Sequence, residues 1–224
     1  MNMIQDKIRQ FQEELKDTSC RLIAVSKTKP NEDIMEAYEM GQRDFGENKV
    51  QDLVAKYEAL PKDIRWHMIG HLQRNKVKYI APFTHLIHGI DSSRLLAAVE
   101  KEGRKIGRRI PILLQIHIAE EETKFGFSLD EVVPLLDSTE FQAMEHIEVQ
   151  GLMGMATNTT DQSKIESEFL RLKGLNDSLQ SRKEHNINIK ELSMGMSNDY
   201  KLAVKSGSTM IRVGSQIFGA RNYA

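Results

Sequence analysis

Apolar positions along the chain recur with two periods that take turns. Ile4, Ile8, Phe11 and Leu15 are spaced three and four apart, which predicts an amphipathic helix over residues 2–17. The next stretch, Arg21-Leu22-Ile23-Ala24-Val25-Ser26-Lys27-Thr28-Lys29-Pro30, holds a continuous apolar run stopped by a proline. That is the pattern of a strand buried on both faces. Pro30-Asn31 then opens a helix, with Asn31 as its N-cap and Gly41 as its stop. Arg43 to Gly46 is short and strand-like, and Lys49 to Leu60 is helical. Arg65 to Gly70 makes a third strand, followed by a helix from Arg74 to Ile80. Thr84 to Ile90 is the fourth, and Asp91-Ser92-Ser93 caps a helix carrying Leu95, Leu96 and Val99.

The second half repeats the alternation. Arg109 to Ile118 is a strongly apolar fifth strand, and Ser128 with Glu131 forms a capping box for the helix after it. Glu148 to Met155 is the sixth strand; Ile165, Phe169, Leu172, Leu175 and Leu179 mark a long helix. Ile189 to Ser193 is the seventh, with a short helix from about Asn198 to Lys205. Thr209 to Val213 is the eighth, and Ser215 to Phe218 has room for one helical turn. Eight strand-then-helix units with short connections predict an α/β fold with a parallel sheet. Eight is also the strand count that closes a (β/α)8 TIM barrel. The expectation is one barrel domain over residues 1–224 with an extra N-terminal helix. A doubly wound open sheet is the alternative, and only the barrel pairs its first strand with its last.

This architecture gives two stretches a chemical meaning. Lys27 falls at the carboxyl end of the first strand, where barrels and open sheets place their chemistry. A lysine there is either an exposed cation or an amine partly withdrawn from water, able to form a Schiff base with a carbonyl. In the last quarter, Ser193-Met194-Gly195-Met196-Ser197-Asn198-Asp199 and Arg212-Val213-Gly214-Ser215 each join a strand end to a helix start through a glycine and a hydroxyl. The loops after strands seven and eight of a barrel often form a phosphate site, because glycine admits the anion and serine adds donors. Ser197 as a plain helix cap and Gly214 as a plain turn are the competing readings. Arg212 lies inside an apolar strand, so it needs either a carboxylate partner or a ligand; aimed at a heteroaromatic nitrogen it would donate and keep that nitrogen unprotonated. A Schiff-base lysine, a phosphate cradle and a cation for a ring nitrogen are what pyridoxal 5'-phosphate requires.

Charge and composition narrow the field. Lysine plus arginine number 31 against 32 acidic residues, which leaves no electrostatic case for nucleic acid. No apolar run approaches the roughly 18 residues of a membrane span. The start lacks the basic-then-apolar order of a signal peptide. One cysteine, Cys20, excludes an internal disulfide framework and fits a reducing cytoplasm. His67 and His71, and His85 and His88, have spacings that raise the question of zinc, but no cysteine pair or His-Glu-x-x-His helix accompanies them, and no metal site is expected. Lys29 would share the strand face of Lys27 if the chain stayed extended, Glu120-Glu121-Glu122 reads as a solvated loop, and Met153 and Met155 read as packing.

Five stretches carry a resemblance that covers nearly the whole chain. They are Ala24 to Pro30; Phe45-Gly46-Glu47-Asn48 with Val50-Gln51; His67-Met68-Ile69-Gly70-His71-Leu72-Gln73 with Asn75-Lys76; Ser193 to Ser197; and Gly207-Ser208-Thr209 through Arg212, Gly214, Phe218 and Gly219. In these the chain resembles the pyridoxal phosphate homeostasis proteins, a family similar to the N-terminal barrel of alanine racemase. The resemblance implies a fold-type III arrangement with the cofactor held on Lys27 as an internal aldimine. It implies Ser197, Gly214 and Ser215 at the phosphate, Arg212 at the pyridine nitrogen and Asn48 lining the pocket. At the end of strand five the family usually shows Asn where this chain has His117.

The expected role follows. Racemisation needs an acid on the face of the cofactor opposite Lys27. Alanine racemase takes a tyrosine for this from a further β-domain, and this sequence ends at Ala224, just after strand eight. A carrier that regulates the cytoplasmic pyridoxal phosphate pool, and with it amino-acid and keto-acid balance, is therefore expected over a fast catalyst. Its expected partners are the cofactor and apo-enzymes that use it, with no nucleic acid or membrane, and it is expected to be a monomer. A slow racemase-like enzyme and a Schiff-base aldolase acting on a phosphorylated sugar are the alternatives. His71, after a strand end, is a further candidate neighbour of the cofactor.

Overall fold

The structure, a computed structural model, describes residues 3–120 and 125–219. The Glu121 and Glu122 part of the acidic loop lies outside the described residues. Helix α1 (Met3–Leu15) leads into β1 (Arg21–Val25), α2 (Asn31–Glu39), β2 (Asp44–Glu47), α3 (Val50–Ala59) and β3 (Arg65–Met68). A 3-10 turn at Arg74–Lys76 runs into α4 (Val77–Ile80), then β4 (Leu86–Ile90), α5 (Ser93–Ile106) and β5 (Ile110–Ile116). Two helices, α6 (Leu129–Asp137) and α7 (Thr139–Gln142), precede β6 (Ile147–Gly154) and α8 (Gln162–Leu179). The chain continues through β7 (Ile187–Met196), α9 (Tyr200–Lys205), β8 (Met210–Val213) and α10 (Ser215–Phe218).

The strands close into a parallel barrel in chain order, β1 to β8. The deciding pairing is β1 with β8, in the register Leu22 to Ile211, Ile23 to Arg212 and Ala24 to Val213. An open sheet has no such contact.

Period-two alternation divides each strand between two environments. Leu22, Ala24, Phe45, Ile211 and Val213 belong to the large outer core shared with the helices. Ile23, Leu86, Leu113, Met153 and Met210 form a separate small cluster, the apolar part of the barrel interior. Polar side chains complete that interior, and they reappear at the site. Helix α1 buries Ile4, Ile8, Phe11 and Leu15, the four positions of its apolar stripe, and the Phe11 ring meets the edge of Tyr200 at 5.3 Å.

The elements differ from the sequence expectation in four places. Asn31 is the first residue of α2 rather than its cap: Pro30, with φ held near −70° by its ring, takes the extended cap position. The expected helix from Arg74 to Ile80 splits into the 3-10 turn and the single turn of α4. Helix α7 was not anticipated; Ser138 caps it by accepting from the Phe141 N–H. Strand β7 extends to Met196, carrying the Ser193–Met196 motif within the sheet rather than in a loop.

Register shifts fall in the second half of the barrel. Between β5 and β6, Ile112 pairs with Val149 but Leu113 with Gly151, so Gln150 is an inserted bulge residue. Gly151 has φ of +149°, and a Cβ there would lie 1.7 Å from the Glu191 carbonyl oxygen of β7. Gly151→Ala is therefore expected to cost at least about 3 kcal/mol. Gly174→Ala, on the open face of α8 where an added methyl meets nothing within 4 Å, is expected to gain about 1 kcal/mol. Urea unfolding of both variants checks the pair of values.

Candidate functional site

The chain leaves β1 in a tight turn. The Lys29 N–H donates to the Ser26 carbonyl at 3.0 Å, which puts Lys27 and Thr28 at the two central positions. Thr28 has φ of +64°, a conformation a β-branched residue rarely adopts and one that concentrates at functional sites. The turn removes Lys29 from any shared strand face with Lys27; its ammonium donates to the Phe218 carbonyl at 2.6 Å, tying the turn to α10.

Beneath the turn lies a brace of buried polar groups. The Ser26 hydroxyl donates to Glu47 Oε1 at 2.6 Å, and Lys56 Nζ donates to the same oxygen at 2.6 Å and to the Ser26 carbonyl at 2.7 Å. Ser26 N–H in turn donates to the Gly46 carbonyl. Glu47 is fully buried, and burial pushes its carboxyl above the usual range against the pull of Lys56 and Ser26. The segment that presents Lys27 is thus fixed from β2 and α3 as well as from its own strand.

Across the β1–β8 seam stands the second half of the site. Gly214 follows β8 directly, and a Cβ there would come within 2.9 Å of the Val25 carbonyl oxygen, so glycine permits the close approach of the two strand ends. Ser215 and Ser197 have their hydroxyl oxygens 3.2 Å apart. Ser197 does not cap α9; the cap position belongs to Asp199. Arg212 is buried, donating from Nη1 to the Ser193 hydroxyl at 2.6 Å and from Nη2 to the Gly154 carbonyl at 3.0 Å. No carboxylate lies within 4 Å of it among the described residues, so the ion-pair reading of this arginine does not hold. Burial lowers its pKa to about 10, which still leaves it protonated at neutral pH.

Lys27, Asn48, Ser197, Arg212, Gly214 and Ser215 all line one cleft of about 500 Å³ at the carboxyl ends of the strands. Asn48 Oδ1 is buried there with no hydrogen-bond partner among the described residues. Lys29, Thr157, Asn158 and Asp199 also line it. Asp199 closes the Ser193–Asp199 stretch read from the sequence, whereas Thr157 and Asn158, on a loop with no motif of its own, were not singled out. His71 lies elsewhere, bonded to Asp91 at 3.1 Å and stacked on Phe125. His117 donates its backbone N–H to the Phe127 carbonyl at 2.9 Å.

At the opposite end of the barrel, Asp44, His67 and His85 offer ligand atoms within 4.8 Å of one another, a grouping that pair spacing along the chain did not reveal. Asp44 is already engaged there: Arg65 chelates its carboxylate through Nε and Nη2, and His67 bonds it at 3.0 Å. Burial works to raise the Asp44 carboxyl, but those bonds outweigh it and hold the group well below the ordinary carboxylate range.

Comparison with known proteins places this geometry in context. The profile of the family described as "Alanine racemase, N-terminal domain" matches residues 1–222. A pyridoxal phosphate homeostasis protein of Aquifex aeolicus is 36% identical over 208 residues, 92% of this chain and 90% of that one. One from Schizosaccharomyces pombe is 39% identical, covering 96% and 91%. The chain belongs to the pyridoxal phosphate homeostasis protein family. Among solved structures, PipY of Synechococcus elongatus with PLP bound superposes with a TM-score of 0.85 at 33% identity, covering 96% of this chain and all of that one. Alanine racemase from E. faecalis shares the fold alone, with a TM-score of 0.77 at 15% identity and 58% of its length covered. No described helix is long and apolar enough to cross a membrane.

Two outcomes test the electrostatics of this family member's strand ends. Lys56→Met strands a buried carboxylate, so it is expected to cost about 3–5 kcal/mol, and Lys56→Met with Glu47→Gln to recover most of that, as read by urea unfolding. Asp44, depressed in the folded state, contributes stability above its unfolded value near 4, and that contribution is lost as pH falls. Wild type should therefore lose stability more steeply below pH 4 than Asp44→Asn, in thermal melts across that range.

Proposed function

We propose that this protein binds pyridoxal 5'-phosphate through Lys27 and serves as a carrier that buffers the free cofactor pool. The observation that supports this reading is the convergence of three unlike groups on one cleft. They are the Lys27 amine on its braced turn, the Arg212 guanidinium in the barrel mouth, and the Ser197, Gly214 and Ser215 set across the β1–β8 seam. The cofactor has a matching part for each: a reactive aldehyde, a ring nitrogen and a phosphate.

The residues present fit that group. Gly214 keeps the strand ends clear where a side chain would fill the space, two hydroxyls lie close enough together to share one anion, and the unpartnered Asn48 Oδ1 offers an acceptor. When bound, pyridoxal phosphate supplies an aldehyde for reversible capture by an amine and a conjugated ring that accepts electron density. Lys27 would hold the aldehyde end, Asn48 would line the ring, and Ser197, Ser215 and the backbone at Gly214 would hold the phosphate.

Arg212 argues for a carrier. A guanidinium donates to the ring nitrogen and does not give up its proton, so the nitrogen stays unprotonated and the ring is a weaker electron sink. Reversible capture by Lys27 needs no such sink, whereas carbanion chemistry on amino acids gains from one. We read residues 1–224 as one unit acting as a monomer in the cytoplasm, where apo-enzymes that require pyridoxal phosphate would be its recipients. Cys20, the chain's one cysteine, is buried, in keeping with that compartment.

Purified protein mixed with pyridoxal phosphate should gain a visible absorbance band that borohydride converts to a stable adduct mapping to Lys27. Lys27→Ala should lose the band and keep its melting temperature. A colourless wild type, or an adduct on another lysine, would refute the assignment. Robust turnover on a panel of chiral amino acids would instead favour a racemase-like enzyme.

A further inference from the structure

A file of buried polar side chains crosses the barrel. His67 is on β3, His88 on β4, Ser193 on β7 and Arg212 on β8, and in a ring of eight β4 stands opposite β8. All four are within 5% of complete burial. The contacts run without a break. Asp44 Oδ1 lies 3.0 Å from His67 Nε2, His67 Nδ1 is 2.9 Å from His88 Nε2, His88 Nδ1 is 2.8 Å from the Ser193 hydroxyl, and that hydroxyl is 2.6 Å from Arg212 Nη1.

Chemistry at the two ends sets every proton between them. An ionised carboxylate only accepts, so the proton of His67 is on Nε2. With His67 neutral its Nδ1 is an acceptor, so His88 donates from Nε2 and presents a bare Nδ1 in turn. The Ser193 proton points to that nitrogen, and a Ser193 lone pair receives Arg212. Both rings are neutral because burial depresses them, His88 further by the charge of Arg212. The other charged or titratable groups near the file are Asp199, which lines the cleft with Arg212 and whose charge favours the guanidinium, His85, edge-on to His67 at 5.3 Å, the Arg65 that chelates Asp44, and the Arg21–Glu191 pair of β1 and β7.

We propose that Ser193, His88, His67 and Asp44 form a one-directional hydrogen-bond relay that positions the Arg212 guanidinium for the ring nitrogen of the cofactor, a role that rests on the reading in the preceding subsection. The relay lets a carboxylate on the far side of the barrel answer a buried arginine that makes no ion pair among the described residues and feels Asp199 only through its charge. Each bond polarises the next, and Nη1 is committed to Ser193 while Nη2 is committed to Gly154. The guanidinium plane is thereby locked in the barrel mouth. These four are positioning residues; none of them lines the cleft.

Two measurements test it. Nitrogen-15 NMR of the imidazoles in cofactor-free protein should show His67 and His88 both neutral and both protonated on Nε2. A charged ring, or an Nδ1 proton on either, would overturn the relay. In the second, Ser193→Ala and His88→Leu should each raise the dissociation constant for pyridoxal phosphate about tenfold. They should leave unchanged the affinity for the analogue with carbon in place of the ring nitrogen. His88→Gln, whose amide can both accept and donate, should retain most of the wild-type affinity. Equal losses for both ligands would mark a merely structural role and overturn the proposal, as would no loss for either. A wild type that takes up no pyridoxal phosphate would refute the carrier reading instead, and the NMR result would still decide the polarity of the relay.

Discussion

The pairing of β1 with β8 is the contact on which the site depends. It sets Ile23 beside Arg212 and Ala24 beside Val213, so the turn bearing Lys27 emerges next to Gly214 and Ser215 although nearly two hundred residues separate them. Parallel pairing is compatible with this only because every crossover is covered by a helix and both faces of the sheet are buried. A lysine amine and a hydroxyl cradle on two strand ends of an open sheet would lie at opposite edges. Closure converts them into two walls of one cleft.

The polar interior sets the second constraint. A barrel lumen of this size is normally filled with layers of apolar side chains, and here Ile23, Leu86, Leu113, Met153 and Met210 fill only part of it. The remainder is charged or hydrogen-bonding. Removing such groups from water is costly unless each finds a partner. The same cost falls on charge buried between the sheet and its helices, and the structure meets it in two ways. Glu47 and Lys56 pair directly outside the sheet, and Arg212 is linked to Asp44 only through three intervening side chains. The direct pair gives rigidity to the Lys27 turn. The indirect one leaves the arginine facing the cleft with no carboxylate among the described residues bonded to its donors.

Much of the site was legible before any coordinates. Lys27 stood out because a charge ends an apolar strand, Arg212 because a charge interrupts one, and Gly214 with Ser197 and Ser215 because glycine and hydroxyls recur at consecutive strand ends. The Glu47–Lys56 brace was not legible. Glu47 falls just past the short strand read over Arg43 to Gly46 and Lys56 within the helix read over Lys49 to Leu60, and nothing local tells that the two meet beneath Ser26. His67 and His88 were weighed only as metal ligands, from their spacing to His71 and His85. Those near neighbours in sequence are not their partners in space, because the strands hold His67 and His88 inward while His71 leaves the barrel on a loop.

The sequence by itself determined the periodicities: eight apolar runs, the helices between them, and the residue types gathered at the carboxyl ends of the strands. Those are local properties, set by side-chain burial at period two or near four, and they carry the fold class and the candidate chemistry. The tertiary structure decided the rest. Whether the first strand meets the last, which residues of the lumen touch, and which way each buried proton points are all matters of register and closure. They depend on contacts between residues far apart in the chain, where no local pattern reaches.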